Sequence, residues 1–177
     1  MGHCIASARV LTVRNDYFEI AALDPRSLYY MNDLSNYTFE IAERYLDREG
    51  MAYPKPILVS LRPDVYVNFE GDYRIRIESR NSVELDIRWH EAITLESCCL
   101  ALSEALLTQY TLYNYGPEGV AKLNMWPVSA LSNVVYLGLR PAKISYLVNQ
   151  ALVGDIPEIS TVLEWKADKI PAVNTTY

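Results

Sequence analysis

The stretch DYRIRIESRNSVELDIRW, Asp72 to Trp89, decides the fold class. Tyr73, Ile75 and Ile77 alternate with Arg74, Arg76 and Glu78. After Ser79-Arg80-Asn81, Val83, Leu85, Ile87 and Trp89 alternate with Glu84, Asp86 and Arg88. A period of two places one apolar and one charged face on each segment, so the stretch predicts two antiparallel strands. Charge sets their register. With Glu78 opposite Ser82, Arg76 meets Glu84, Arg74 meets Asp86 and Asp72 meets Arg88, each an attractive cross-strand pair. A slip of two residues would set Arg74 against Arg88. The turn then favours Asn81 as its left-handed residue, and the charged side reads as a solvated sheet face.

On the N-terminal side, Arg9 to Leu23 reads as two short strands around Asn15-Asp16. Asp24-Pro25 supplies a helix cap and a first-turn proline. Tyr30, Leu34, Tyr37, Ile41 and Tyr45 follow at helical steps, which predicts a long helix ending at Gly50. Ile57-Leu58-Val59 predicts a short buried strand bounded by Pro54, Pro56 and Pro63.

On the C-terminal side, Thr94 is placed to cap a helix with Glu96 near its positive end. Leu95 to Tyr113 is apolar nearly all round, as expected of a helix inside the domain, and Gly116-Pro117 stops it. A loop through Met125-Trp126-Pro127, helices over Val128 to Leu139 and Pro141 to Val153, and a short one over Glu158 to Trp165 complete the reading. The fold class is therefore α+β: a small mixed or antiparallel sheet with a charged hairpin, packed on a long N-terminal helix and a buried central helix, then a helical C-terminal part. Residues 1–8 read as a tag-like or disordered start, 9–170 as a single domain and 171–177 as a loose tail. No internal repeat or linker divides it.

The 177-residue chain is half apolar and 21% charged, enough for one self-sufficient core. A net charge of −6 with scattered basic residues argues against a nucleic-acid surface. No apolar run reaches the ~20 residues of a membrane span. The opening Met1-Gly2-His3 has the look of an expression scar, so an export leader removed from the chain and a cytoplasmic location both stay open.

Chemistry is sparse. His90-Glu91 opens a His-Glu-x-x-His pattern, but position 94 is Thr94 and the pair precedes the helix instead of lying on it. Cys98 and Cys99 are helix neighbours about 100° apart, unable to bridge each other readily, and Cys4 lies near the terminus. Nothing sets a nucleophile beside His3 or His90. The seven glycines are too dispersed for a phosphate loop, and Asp155 with Glu158 is an ordinary surface pair. The reading therefore contains no catalytic residue, no metal ligand and no cofactor.

The order of elements, with a buried helix followed by a Trp-Pro segment, is similar to that of the zincin-like peptidases, the peptidase MA-like or gluzincin-like group, over roughly residues 9 to 150. In that family the buried helix carries His-Glu-x-x-His. Here Ala101-Leu102-Ser103-Glu104-Ala105-Leu106-Leu107 stands in its place. The resemblance sets Ser103 at the first histidine, Glu104 at the general base and Leu107 at the second histidine. Trp126-Pro127-Val128-Ser129-Ala130 echoes the downstream segment, yet no acidic residue occurs between Lys122 and Lys143 to serve as a third ligand. Catalytic zinc needs three protein ligands, and neither a hydroxyl nor an alkyl group replaces an imidazole. The resemblance implies a degenerate fold with a relic cleft at Ser103, Glu104 and Leu107.

Glu104 has a second account, since it shares a partly wet helical face with Ser97, Thr108 and Thr111. Tyrosine is in excess at 14 residues. Core filling explains many, while Tyr110, Tyr113 and Tyr115 form a candidate interface, because an apolar ring with a hydroxyl suits partner contact. The leading expectation is a non-enzymatic interaction or assembly module with a protein partner. The alternatives are a metal-independent hydrolase using Glu104 as general base, and a small-ligand binder in the relic cleft.

Overall fold

Asn15 builds the first hairpin. Its Oδ1 accepts the N–H groups of Tyr17 at 3.0 Å and Phe18 at 2.7 Å, turning the chain between β1 (Leu11–Arg14) and β2 (Phe18–Ala22). Its Nδ2 donates to Asn36 at 2.8 Å, and Tyr17 stacks on Phe39 at 3.4 Å, so the hairpin is fastened to the helix that follows. These contacts come from a computed structural model that describes residues 9–46, 51, 53, 55–78 and 82–144. Gly50, the Ser79-Arg80-Asn81 turn, the chain termini and the readings beyond residue 144 lie outside the described residues.

Helix α1 (Pro25–Ala42) starts as its sequence demands. The Asp24 carboxylate accepts the Ser27 N–H at 2.9 Å, and the bonds from Ser27 hold its pKa below the ordinary value. The helix ends at Ala42 with Glu43 as its cap, short of the expected Gly50. Its inward face also differs from the tyrosine line. Leu34 and Ile41 are buried, but Tyr30 and Tyr45 are 44% and 70% exposed, and Met31, Ser35, Thr38 and Ala42 take the inner positions. The reason is local. Ser35 donates to the Asn32 carbonyl and Thr38 to the Leu34 carbonyl, both at 2.8 Å, which satisfies their hydroxyls inside the core.

The five-stranded sheet has the order β1-β2-β3-β5-β4, with β3 (Ile57–Pro63), β4 (Tyr73–Ile77) and β5 (Val83–Trp89). β3 lies at the centre, parallel to both β2 and β5. Its prolines do not confine it to an edge, because Pro56 precedes the strand and Pro63 is its last residue. The hairpin adopts the register that charge favoured: Arg74 faces Asp86, Arg76 faces Glu84, the Glu78 N–H donates to the Ser82 carbonyl and the Arg88 N–H to that of Asp72.

The sheet's charged face departs from the solvated surface expected of it. Asp86 is 1% exposed. Arg62 donates to its Oδ1 at 2.6 Å, while Arg74 and Arg76 reach its Oδ2 at 3.2 and 3.0 Å. Arg76 also pairs with Glu84 at 2.7 Å. Phe69 covers Arg74, with 4.8 Å from guanidinium to ring centroid, and Arg88 donates to the Phe69 carbonyl. The arginines keep their outer edges in water; the carboxylate beneath them does not.

The apolar face is covered by helices. α1 packs on β1 and β2, and α2 (Leu95–Val120) on β3, β4 and β5. One core holds Phe18, Ile20, Val59, Leu85, Leu102 and Leu106. Thr94 accepts the Ser97 N–H at 3.0 Å to open α2. The helix breaks where expected: Gly116 has φ 68° and ψ −172°, and Pro117 begins one further turn. α3 (Met125–Leu139) packs on α1 and α2. Met125-Trp126-Pro127 is its first turn, not a loop, since a first-turn proline lacks only an N–H that has no helical partner. Gly138 lets Tyr37 approach; a Cβ there would meet its hydroxyl oxygen at 2.1 Å. The result is an α+β fold with a mixed sheet. Among the described residues no helix is long and apolar enough to cross a membrane.

Candidate functional site

The middle of α2 sends the three candidate residues Ser103, Glu104 and Leu107 into different surroundings. Ser103 is wholly buried, and its Oγ has no hydrogen-bond partner. Glu104 is half-buried and accepts a 2.5 Å hydrogen bond from the Tyr73 hydroxyl on β4. Leu107 is 7% exposed and points into an apolar groove. Burial raises the Tyr73 pKa well above its ordinary value, and the hydrogen bond and charge of Glu104 add to the rise. The phenol is thus a fixed donor to the carboxylate.

Ser97, Glu104 and Thr111 are half-buried, as a partly wet face would be, whereas Thr108 is buried at 5% exposure. Ser97 donates to Asp72 at 2.6 Å, so this side of α2 is bound to the start of β4 by two polar contacts, Ser97–Asp72 and Glu104–Tyr73. Among the described residues, no three His, Cys, Asp or Glu side chains gather where they could hold a metal ion.

The groove into which Leu107 points has a volume of about 290 Å³. The end of α1 contributes Ala42, the turn after it Tyr45, and α3 Trp126, Ala130 and Val134. Among the described residues no charged side chain lines it. Trp126 is 50% exposed on its wall. The same Trp126, with Pro127, also borders a neighbouring cleft of about 490 Å³ that contains Tyr115 and Lys122. The two depressions thus form one surface with the indole between them.

The three candidate interface tyrosines divide. Tyr115 is 66% exposed and belongs to that second cleft. Tyr113 sets its edge against Tyr53 at 5.9 Å, and Tyr110 lies half-buried 6.5 Å from Tyr115. Sequence reasoning missed Tyr45 and Val134 as surface groups, because a helical stripe predicts burial for the first and α3 is apolar on most positions. It also passed over a third cleft, of about 500 Å³, at Tyr30, Trp89 and His90-Glu91. Compared with known proteins, the chain matches no family model, no curated protein and no solved structure.

Proposed function

We propose that this chain is a non-enzymatic domain with a degenerate peptidase-like arrangement that works as an interaction module. Its contact site is the apolar groove floored by Leu107, and its partner is a protein segment that seats an aromatic or large aliphatic side chain there. The observation carrying this reading is the placement of Leu107. At the position where the resemblance to zinc peptidases would put a second histidine, a hydrocarbon floors a groove lined, among the described residues, by no charged group, beside a half-exposed tryptophan. A volume of about 290 Å³ is small for a metabolite site but suits one or two apolar side chains. Exposed tryptophan and tyrosine on the rim match the composition of contact surfaces.

The hydrolytic alternative is weakened by the pairing of Glu104 with Tyr73. A general base needs an open approach to water or substrate, and this carboxylate is already engaged by a half-buried phenol. Selection of peptides from a random display library tests the reading. Enriched peptides should carry an aromatic or large aliphatic anchor, bind the parent protein, and lose at least about tenfold in affinity to A130E, a charge placed at an exposed groove position. Peptides that bind A130E equally well, or that are cleaved by the protein, contradict it.

A further inference from the structure

The loop between β5 and α2 creates a second site of different chemistry. β3 and β5 run parallel and end together, Pro63 opposite Trp89. The crevice beyond the carboxyl ends of parallel strands is where α/β folds commonly place ligands. Here it is a cleft of about 500 Å³ between the first turns of α1 and the start of α2. Tyr30 and Trp89 form its aromatic walls, with ring centroids 6.2 Å apart and planes inclined at 50°, an open wedge. His90, Glu91, Ile93, Thr94 and Cys98 complete the lining, to which no lysine or arginine among the described residues contributes.

The adjoining helix terminus does not invite an anion. The Ser97 N–H is taken by Thr94 Oγ1 and the Cys98 N–H by the Thr94 carbonyl. Asp72 and Glu96 bring further negative charge to the same turn. Burial pushes the Cys98 thiol up to about 12, so it is an uncharged wall and not a nucleophile. What remains is two electron-rich aromatic rings beside the exposed Glu91 carboxylate, the combination that attracts alkylated ammonium groups. Arg140 opposes it, near enough to Tyr30 to act on its hydroxyl.

We propose that the cleft formed by Tyr30, Trp89 and Glu91 binds an organic cation bearing an alkylated ammonium. The rings take the ammonium methyl groups and Glu91 supplies the countercharge. The site is separate from the apolar groove and does not depend on the reading given for it.

Choline is a suitable probe, with 3,3-dimethyl-1-butanol as its uncharged carbon counterpart and benzoate as an anion. In an NMR titration of the full chain, choline should bind saturably with a Kd on the order of 1 mM. Its methyl signal should move upfield under the ring current, and the Trp89 indole N–H should shift. W89L should weaken binding about fivefold and E91Q about threefold, while R140Q should tighten it. The parent-protein shifts need no variant, so they decide the matter even if W89L fails to fold. Equal binding of the uncharged counterpart overturns the proposal, as does preference for benzoate or the absence of saturable choline binding up to about 50 mM.

Discussion

The Tyr73 hydroxyl donates to Glu104 Oε2 at 2.5 Å, joining the edge strand β4 to the middle of the buried helix α2. The proposed resemblance to zincin-like peptidases would put a general base at Glu104, yet the Glu104 carboxylate is held by a phenol that burial keeps protonated. A pair fixed in this way anchors an outer strand to the core.

Removal of the phenol should therefore be felt as instability. Y73F deletes a hydrogen bond to a charged, half-buried acceptor and should cost about 1–2 kcal/mol in a urea titration. E104Q keeps an acceptor in place and should cost less than about 1 kcal/mol. An E104Q loss larger than that of Y73F would argue for a role of Glu104 outside this pair.

Asp86 should be the most sensitive charge in the sheet. D86N leaves Arg62, Arg74 and Arg76 converging on a neutral group and should cost about 2–3 kcal/mol, reduced from the fully buried case because the arginines are 35–43% exposed. R76A should cost about 0.5 kcal/mol or less, since two guanidiniums remain on the carboxylate. Thermal or urea unfolding of the two variants measures the contrast.

Gly116 should tolerate no side chain for reasons of backbone alone. Its φ of 68° with ψ of −172° lies in a region open essentially to glycine, and space around a Cβ is free. G116A should lose about 1–3 kcal/mol of stability without any steric clash. A neutral G116A would show that the break in α2 is not built as described.

How far the sequence revealed this depends on whether a signal was local. The hairpin register was legible because both partners of each charge pair lie within 17 residues and alternate in phase. Asp86 as a buried residue was not, because Arg62 enters from β3, and the adjacency of β3 and β5 is a tertiary fact. The same holds for the groove. Leu107 and Trp126 belong to α2 and α3 and Tyr45 follows the end of α1, and no spacing within one helix announces that they meet. Tyr30 and Trp89 likewise come from distant segments. That Ser103 and Leu107 offer no imidazole was plain in the sequence, but the separation of Ser103, Glu104 and Leu107 into three surroundings required the packing of α2 against its neighbours.

Alkaline pH should unfold the protein through its buried acids. Burial raises Cys98 and Cys99 from 9.0 to about 12, and it raises Tyr53 and Tyr73 above their ordinary 10.0. The folded state holds these protons more tightly than the unfolded state, so their contribution is intact below about pH 9 and is lost as pH rises toward 12. Tm should be level from pH 7 to about 8.5 and fall beyond. In a C4S background, thiol titration at pH 8 should find a native thiolate fraction about a thousandfold below that of the unfolded chain, and correspondingly slow modification. Rapid reaction of both native thiols would contradict their burial.

The central claim concerns what Leu107 does in place of a metal ligand. An NMR titration of labelled protein with a library-selected peptide tests it most directly. The account predicts the largest shifts at Tyr45, Leu107, Trp126 and Val134, with the peptide recovered intact. Shifts centred on Tyr73 and Glu104 accompanied by peptide cleavage would contradict it.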